Sequence, residues 1–438
     1  MPDCRATPAV RAGHHGSVPT VPDDDELELI RRSGVVLRVG RLSLSAGTGS
    51  YRVKASMARI ATALGIDRHE AHVTLTEITT TSHRGPSFRT EVTEVRSIGV
   101  NVDRLAELER LAGRVDAAGR VTPEEVSAEL DRIADKPPLY PVLLNALWAA
   151  LACAAFSFLN SGGAVEIVGV VVGAFLGQAL RRTMLHRGFN QFGVTMLSAT
   201  VACLGYLGFV WLLQVVGLVG AGHEAGYVAA VLFLVPGFPL VTGFLDLAKL
   251  DFSAGVARLV HALMILTSAA LALWAVSLVV GLSPDPPTAP VLDPGLLLAL
   301  RSVASFLGVL GFALMFNSPW RIALAAAGVG MVANVLRLEI VEAHVPPQAA
   351  AAVAALVVGL LTAAIAPRLD VPRITVYVPA VTIMVPGVLA YRAVFHISNG
   401  NTVEALAFGV EAALIVAALA IGLAIARMLT DPTWAYER

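Results

Sequence analysis

Ten long apolar stretches follow one another along the chain from residue 141 onward. A helix rises about 1.5 Å per residue, so a stretch of roughly 20 residues can cross a hydrocarbon core of about 30 Å. Hydrophobic residues make up 56% of the sequence and charged residues 15%, which leaves too little polar surface for a large soluble helical core. The sequence therefore predicts a polytopic α-helical protein that lies in membrane lipid. The predicted spans are 141–160, 163–181, 192–219, 226–248, 257–282, 295–316, 319–337, 346–366, 374–396 and 403–427.

Charged residues are concentrated before Lys136, and the sequence KPPLYP marks the change to long apolar runs. The first residues are polar and rich in proline and glycine, without the apolar segment typical of a secretory signal. The pattern predicts a disordered tail at 1–24, a small cytosolic α+β domain at 25–137, a first five-helix membrane repeat at 138–282, an outer linker at 283–294, a second five-helix membrane repeat at 295–430 and a cytosolic tail at 431–438.

The region before the apolar stretches contains signals for both helices and strands. One helix is predicted from Asp25 to about Leu44 and another up to Gly65, where glycine favours a helix end. The alternating segments HVTLTEITTT and SFRTEVTEVRSI flank HRGP, a pattern that predicts a β-hairpin. Two helical segments follow, the second with Thr122 as its N-cap and Glu125 three positions later, as in a capping box. These helices offer the hairpin a surface to pack against.

Basic residues are distributed unevenly between alternate loops. With the N-terminus on the cytoplasmic side, Arg337 alone falls in an outer loop, at a helix edge. Because positively charged loops stay in the cytoplasm, this distribution predicts that both chain ends are cytoplasmic. The basic residues assigned to the cytoplasmic side are Arg181, Arg182, Arg187, Lys249, Arg258, Arg321, Arg368, Arg373, Arg427 and Arg438.

A Pro-Gly pair recurs at the same rank in each half of the apolar region. Pro236-Gly237 lies in the fourth stretch and Pro386-Gly387 in the ninth, 150 residues later. Five stretches precede the proline-rich loop SPDPPTAPVLDPG and five follow it. A duplicated unit with an odd number of spans is inserted upside down relative to its twin. The predicted fold is therefore ten transmembrane helices in two inverted five-helix repeats.

The two Pro-Gly pairs also predict a substrate site. Proline lacks a backbone donor, so it interrupts a helix and frees backbone groups that hydrocarbon does not satisfy. Such breaks survive where they line a cavity, and matched breaks in two halves favour a central binding site. The predicted substrate-binding residues are thus Pro236, Gly237, Pro386 and Gly387. The alternative is that both prolines only kink their helices.

Ionisable residues inside the spans are costly and are therefore candidates for function. Glu411 lies well inside the last stretch, with no basic residue near it there, and His261 occupies the position 150 residues earlier. Histidine titrates near neutral pH, and a desolvated carboxyl can be protonated there, so these two residues are predicted to carry a coupling proton. The alternative is that Glu411 has a structural partner and His261 lies near the cytoplasmic interface.

Further charged residues can contact a substrate. Asp246 can attract an ammonium group or pair with Arg258, and pairing is the favoured role. Arg392 and Arg301 can each hold a carboxylate through two hydrogen bonds. Both can instead extend to the outer interface, as arginines near helix ends commonly do.

Asn160 and Asn317 close the first and sixth stretches. Their amides can support a substrate, although capping and interhelical bonding are commoner roles. No Walker A, GxGxxG or HExxH motif is present, and the 3 cysteines lie far apart, so neither a cofactor nor a metal is predicted. The formal net charge of −1 provides no basic surface for nucleic acid.

Three segments resemble the threonine/serine exporter family, ThrE type: GTGSYRVKASMARIATALGI, VPGFPLVTGFLDLAKLDFSAGVARL and VPAVTIMVPGVLAYRAVF. The resemblance covers nearly the whole chain after the tail, and the middle segment is long and specific. It implies a cytosolic N-terminal domain, ten spans in a bacterial plasma membrane, and export of threonine and serine driven by the proton-motive force. On the matching motif, it carries over Pro236, Gly237, Pro239, Asp246 and Arg258 as important positions.

Three functions are weighed on these grounds. The favoured one is a non-enzymatic, proton-coupled exporter of threonine, serine and similar amino acids. A dicarboxylate exporter is the second, because split systems similar to this family are associated with succinate; there the two arginines would matter more than the aspartate. The third is a membrane sensor or hydrolase that acts through residues 25–136, with Ser50, His72 and His83 as its candidate set. A homo-oligomer is compatible with all three.

Overall fold

The structure, a computed structural model, describes residues 24–96, 99–220, 222–282 and 292–435. The predicted disordered tail, except for residue 24, lies outside the described residues, and so does most of the predicted outer linker. The described chain is mostly helical and includes one three-stranded antiparallel sheet.

Before the apolar stretches, helices and the sheet share a core of their own. Val36, Met57 and Ile78 are fully buried in it, because the apolar residues of each element recur on one face. The predicted capping box between Thr122 and Glu125 is confirmed at the start of the last of these helices. The elements are α1 (Asp24–Ser45), α2 (Ser50–Ala63), β1 (Arg68–Val73), β2 (Glu77–Arg84), β3 (Ser87–Glu94), α3 (Val102–Ala118) and α4 (Pro123–Asp135).

The sheet has one strand more than the sequence predicted. The segment HVTLTEITTT is not one strand, because β1 ends at Val73 and β2 begins at Glu77. Thr74 closes the turn between them: its hydroxyl accepts from Glu77 N at 3.1 Å and its N–H donates to Glu77 O at 2.9 Å. Alternation does not distinguish one long strand from two short strands joined in this way. The predicted turn at HRGP is present between β2 and β3, with Gly85 at φ 55°.

From residue 142 onward the helices are apolar, and most of them are long. Their bounds are α5 (Val142–Leu159), α6 (Ala164–His186), α7 (Gln191–Val215), α8 (Gly237–Ala248), α9 (Phe252–Val280), α10 (Pro294–Met315), α11 (Trp320–Glu342), α12 (Pro347–Ile365), α13 (Ile374–Thr382), α14 (Gly387–Ser398), α15 (Thr402–Thr430) and α16 (Pro432–Ala435). Of the helices in the described residues, eight are long and apolar enough to cross a membrane, and the pair α13 and α14, bent by 50°, makes a ninth such span. The predicted polytopic helical class is confirmed.

The predicted fourth span, 226–248, contains no helix of that length. It begins with two 3₁₀ turns, Glu224–Tyr227 and Ala229–Leu234, and continues as the short helix α8. Pro236 separates the two parts, because a proline cannot donate to the preceding turn. The break at Pro236 was therefore predicted correctly, whereas the 3₁₀ turns before it were not predicted.

The region before α5 contacts the membrane helices at the junction of α10 and α11. The side chain of Asn317 accepts from Leu139 N at 2.8 Å and donates to Asn101 Oδ1 at 2.9 Å. The N–H of Val102, at the start of α3, donates to Phe316 O at 3.0 Å. Asn317 has φ 64°, a conformation that asparagine tolerates better than most residues. Asn317 thus joins the N-terminal region to the second half of the chain.

Candidate functional site

The two Pro-Gly breaks have nearly the same backbone geometry. Pro236 has φ −81° and ψ 59°, and Pro386 has φ −80° and ψ 62°. At both sites the N–H of the following glycine donates, at 2.9 Å, to the carbonyl of the residue before the proline, which is an inverse γ-turn. A helix of 12 residues begins at each break, and a helix of 29 residues follows it. The similarity of the two motifs in sequence therefore extends to their conformation.

The two breaks face one another inside the protein. A Cβ added to Gly237 would lie 2.9 Å from Thr382 Cγ2. One added to Gly387 would lie 2.8 Å from both Leu232 Cδ2 and Val235 Cγ2. Positions 232 and 382 are 150 residues apart, so the two contacts are equivalent in the two halves. A larger residue at either glycine would therefore have to displace side chains of the opposing break.

The polarity of α8 and α14 suits an anionic group at this junction. Both helices begin at the breaks, so the partial positive charge of each N-terminus lies where the breaks meet. Pro239 lies in the first turn of α8, where a backbone N–H would have no partner within the helix. Thr242 donates its hydroxyl to Phe238 O at 2.9 Å and so stays within α8. Main-chain groups and helix ends are thus the polar features of the breaks.

An apolar cavity, with about 30 Å³ of space for a water-sized group, lies beside the start of α14. The hydroxyls of Tyr391, in its wall, and Tyr227 are 2.9 Å apart. We call it the outer cavity. Its lining includes Val228, Leu232, Val235, Leu273, Gly387 and Tyr391.

A second cavity, with about 20 Å³ of space for a water-sized group, lies where α8 ends and α13 begins. We call it the arginine cavity, since two arginines are part of its wall. Its lining residues come from α2, α8, α12, the start of α13, α15 and α16, so distant segments build it. Sequence reasoning did not identify it as a site, because both arginines counted only as loop charges. The lining residues are Tyr51, Leu245, Gly359, Arg373, Tyr377, Leu423, Arg427 and Trp434.

Asp246 and Arg258 form a buried ion pair near this cavity. They are 0% and 1% exposed, and Arg258 Nε lies 3.0 Å from Asp246 Oδ2. Arg258 Nη2 also donates to Thr48 O at 2.8 Å. The Asp246 carboxylate lies against Gly49, the residue before α2, since a Cβ added there would be 2.7 Å from Asp246 Oδ1. Two of the segments that carry the family resemblance therefore bind each other.

A second ionic contact strengthens this junction. Lys54 Nζ forms a salt bridge with Asp251, and Ser50 Oγ donates to Asp251 Oδ2 at 3.2 Å. Ser50 therefore takes part in docking α2 onto the start of α9. His72 and His83 lie on β1 and β2, and within the described residues neither hydrogen-bonds Ser50. The part of the chain that the structure describes also contains no group of three or more His, Cys, Asp or Glu suited to a metal ion.

Several predicted site residues lie away from the breaks. Arg301 pairs with Glu342 and with a second glutamate of α11. Arg392 lies with its guanidinium carbon 5.6 Å from the centre of the Phe408 ring. Asn160 donates to the carbonyl four residues earlier at 2.9 Å and so closes α5. None of these three side chains lines either cavity.

The two predicted proton carriers have separate surroundings. Glu411 lies on α15 in a shallow groove that it shares with Gln348 and several apolar residues. His261 lies on α9, with Nε2 3.3 Å from Gln191 Oε1 and its ring centre 5.9 Å from that of Phe192. The structure therefore does not bring the two groups into one cluster, and their role in proton coupling stays a prediction.

The long apolar helices define a multi-pass membrane protein, and comparison with known proteins identifies its family. A family model described as putative threonine/serine exporter matches residues 34–280, and another, described as threonine/serine exporter, ThrE, matches residues 301–429. The first match alone covers more than half of the chain. The chain belongs to the threonine/serine exporter family.

The individual relatives have low sequence identity to this chain, and two of them align with nearly all of it. A threonine/serine exporter of Corynebacterium glutamicum is 23% identical over an alignment of 436 positions that covers 94% of this chain and 86% of that protein. A probable threonine/serine exporter of Mycobacterium tuberculosis is 25% identical over an alignment of 426 positions that covers 93% of this chain and 78% of that protein. A probable succinate transporter subunit, YjjP of Escherichia coli, is 26% identical over 226 residues, 51% of this chain and 84% of that protein. No solved structure matches the chain.

Proposed function

We propose that this protein is a secondary active exporter of threonine, serine and similar small amino acids, driven by the proton-motive force. The pair of matched breaks at Pro236 and Pro386, which face each other inside the protein, carries the proposal. A polar solute needs polar groups within the bilayer, and interrupted helices provide them. The substrate is held where the breaks meet. The names of the full-length relatives support the substrate class.

The two halves act as inverted repeats. Equal backbone angles at the breaks, equal lengths of α8 and α14 and of α9 and α15, and reciprocal contacts of both glycines support this arrangement. In such a pair, one rocking motion opens a path on one face and closes it on the other. The halves differ in the segment before each break, which is helical in α13 and consists of 3₁₀ turns in the first half.

Substitution of the glycines tests the binding site. Gly237→Ala and Gly387→Ala add a Cβ that has no room at the junction, so each is expected to lower the rate of threonine efflux from proteoliposomes at least tenfold. Gly328→Ala is the matched control, because open space surrounds Gly328 in α11. Rates equal to that of the control in both variants would rule out a substrate path through the breaks.

Glu411 is the proposed proton carrier, with His261 as its counterpart in the first half. Glu411→Gln keeps the shape of the side chain and removes its proton, so efflux driven by a pH gradient should be lost. Glu404→Gln, in the exposed first turn of the same helix, is the control and should transport normally. Undiminished pH-driven efflux in the Glu411→Gln variant would remove this residue from the mechanism.

Export of a dicarboxylate is the second candidate function. It is favoured by the two arginines of the arginine cavity. It is also favoured by the succinate transporter subunits, which align with about half of the chain. Threonine, serine and succinate should therefore be compared as competitors for efflux from the same vesicles. Competition by serine but not by succinate supports the amino acid assignment, and the reverse result supports the dicarboxylate.

A further inference from the structure

The arginine cavity has an excess of positive charge in its wall. Two of the described residues that line it, Arg373 and Arg427, are cationic, and none is acidic. The space within it that a water-sized group can occupy is about 20 Å³, far less than a whole metabolite needs. The charge of the wall therefore suits the carboxylate of a small anion, and entry of the whole molecule requires the wall to move apart.

The protein uses only part of the hydrogen-bonding capacity of these arginines. Arg373 donates to Thr430 Oγ1 at 2.7 Å and, more weakly, to Thr430 O at 3.4 Å. Arg427 Nη2 lies 2.7 Å from Asp431 Oδ2, whereas its buried Nε has no hydrogen-bond partner in the described part of the chain. An arginine has five N–H donors arranged to hold a carboxylate. Donors for an incoming carboxylate are thus present at the wall.

A third arginine adds to the positive potential. Arg52 lies behind the wall, where its Nε donates to the hydroxyl of Tyr51 at 2.9 Å. Arg52 and Arg427 both repel Arg373 electrostatically, whereas Asp431, which pairs with Arg427, attracts it, so three cations share one anion. Like charges held together in this way are costly, and a bound anion relieves the repulsion. The cluster therefore favours an anionic ligand over a neutral one.

The rest of the wall suits the uncharged part of a small metabolite. Leu245 and Leu423 provide aliphatic surface, and Trp434 packs edge-on against Tyr51 with ring centres 5.4 Å apart. Tyr51 belongs to α2 and Trp434 to the C-terminal helix α16. The N-terminal region thus supplies one wall of a cavity whose other walls are membrane helices.

The equivalent positions of the first half lack this charge. Moving back by 150 residues replaces Arg373 with His223 and Arg427 with Ser277, while Tyr377 and Leu423 become Tyr227 and Leu273. His223 Nδ1 is held 2.6 Å from Glu166 Oε1, and Ser277 donates within its own helix at 2.7 Å. The outer cavity and the arginine cavity therefore both have apolar walls. The arginines belong to the arginine cavity, which lies next to the N-terminal region.

We propose that the arginine cavity is the loading site of the exporter, where Arg373 and Arg427 bind the carboxylate of the substrate and Tyr51 closes one side. The inference rests on the proposed function for the identity of the cargo. It assigns a role to the N-terminal region, because removal of that region would leave the loading site open. It also gives export a direction, since the site lies on the face where the N-terminal region is docked.

Equilibrium binding of L-threonine to the purified full-length chain tests the carboxylate contact. The competitor is L-threoninol, in which the carboxylate is replaced by an alcohol. The wild-type chain should bind threonine at least tenfold more tightly than threoninol, and Arg373→Gln and Arg427→Gln should abolish this preference. Arg368→Gln is the control, because Arg368 is exposed and lies outside the cavity. Wild-type preference in both cavity variants would overturn the inference.

Two further measurements separate a binding role from loss of folding. Arg373→Lys and Arg427→Lys keep the charge and should restore part of the preference for threonine. Tyr51→Leu removes the aromatic wall and should raise the KM for efflux several-fold with little change in maximal rate. Lysine variants that bind like the glutamine variants, or a Tyr51→Leu variant with an unchanged KM, would contradict the assigned roles.

The possible failures can be told apart. Normal threonine export with an unchanged KM in the arginine variants would leave the proposed function standing and reject the loading site. Arginine-dependent binding of succinate, without binding or export of threonine, would keep the site and reject the amino acid as cargo. Absence of binding of both compounds to the wild-type chain would reject the loading site.

Discussion

Asp246 and Arg258 show how single residues connect the membrane to the N-terminal region. Burial of two charges is expensive, and a buried ion pair adds little stability unless further hydrogen bonds satisfy it. Here Arg258 also binds Thr48 O, and the Asp246 carboxylate lies against Gly49, directly before α2. The pair therefore orders the GTGSYR segment, which includes Tyr51 of the arginine cavity.

Removal of one member of this pair should destabilise the protein strongly. Arg258→Met leaves the Asp246 carboxylate buried without its cation, which is expected to cost about 3 to 5 kcal/mol. The double variant Asp246→Asn and Arg258→Met should be less destabilised than the single one, because no charge stays buried. Unfolding of the purified chain measures both effects.

Arg68→Gln provides the matched control for this prediction. Arg68 and Glu70 form an ion pair that is exposed on both sides, with 67% and 58% of the side chains accessible. Loss of such a pair changes stability by about 0.2 to 1 kcal/mol at most. If Arg258→Met were as stable as Arg68→Gln, the buried pair would have no structural importance.

At the scale of elements, α3, α4 and the segment before α5 meet in a charged cluster outside the membrane helices. Lys136 lies 2.7 Å from Asp103 Oδ2 and 3.2 Å from Glu107 Oε1, and Arg132 lies 3.1 Å from Glu107 Oε2. Partial burial raises the pKa of Glu107, but the hydrogen bonds from Arg132 and Lys136 outweigh burial and hold that pKa below its usual range. The cluster therefore holds α3 against the segment that leads into the first span.

This lowered pKa predicts the sign of a pH effect. A carboxyl whose pKa is lower in the folded than in the unfolded state stabilises the protein above its unfolded pKa, about 4.3, and loses that contribution as the pH falls further. Acidification from pH 7 to pH 4 should therefore destabilise the wild type more than Glu107→Gln. Thermal unfolding at the two pH values measures the difference, and equal losses in both proteins would contradict the prediction.

The broken spans are the other features that act as elements. Each combines an inverse γ-turn at a proline, a short helix of 12 residues and a long helix of 29 residues. The two turns have nearly the same backbone angles and contact each other, so a displacement of one turn moves the other. This contact makes the junction of α8, α13 and α14 the part of the fold best suited to movement between two arrangements.

At the scale of the whole molecule, the N-terminal region contacts both halves of the membrane part. It binds α8 and α9 through Thr48, Ser50 and Lys54, and it binds the junction of α10 and α11 through Asn101. Movement of one half against the other must therefore shift or release at least one of these contacts. The region is positioned to take part in transport, which favours the exporter over a sensor that uses the membrane helices only as an anchor.

The arrangement predicts which positions are accessible from outside the cell. In a variant without its native cysteines, Arg68→Cys on β1 should react with a membrane-impermeant maleimide only after permeabilisation. His344→Cys, in the exposed turn between α11 and α12, should react in intact cells. The reverse pattern would place the N-terminal region outside and would contradict the direction of export.

Features that depend on neighbouring residues were predictable from the sequence alone. Apolar stretches of membrane length, the alternation of polar and apolar residues, and the Pro-Gly pairs at Pro236 and Pro386 are local signals, because each depends on a single element. They determined the polytopic helical class, the turn at HRGP, the capping box at Thr122 and the positions of the breaks. The strand boundary at Thr74 was missed because a side chain makes that turn without a glycine or proline to mark it.

Tertiary structure decided the features that join distant residues. Tyr51, Arg373, Arg427 and Trp434 are scattered over more than 380 positions, and no periodicity links them. The carboxylate of Asp246 meets α2 for the same reason, since about 200 residues separate the two in sequence. Local patterns set which face of a helix is buried, whereas packing of the whole chain sets which residue that face meets. The breaks were therefore visible in the sequence, and the charged cavity became visible when the chain was folded.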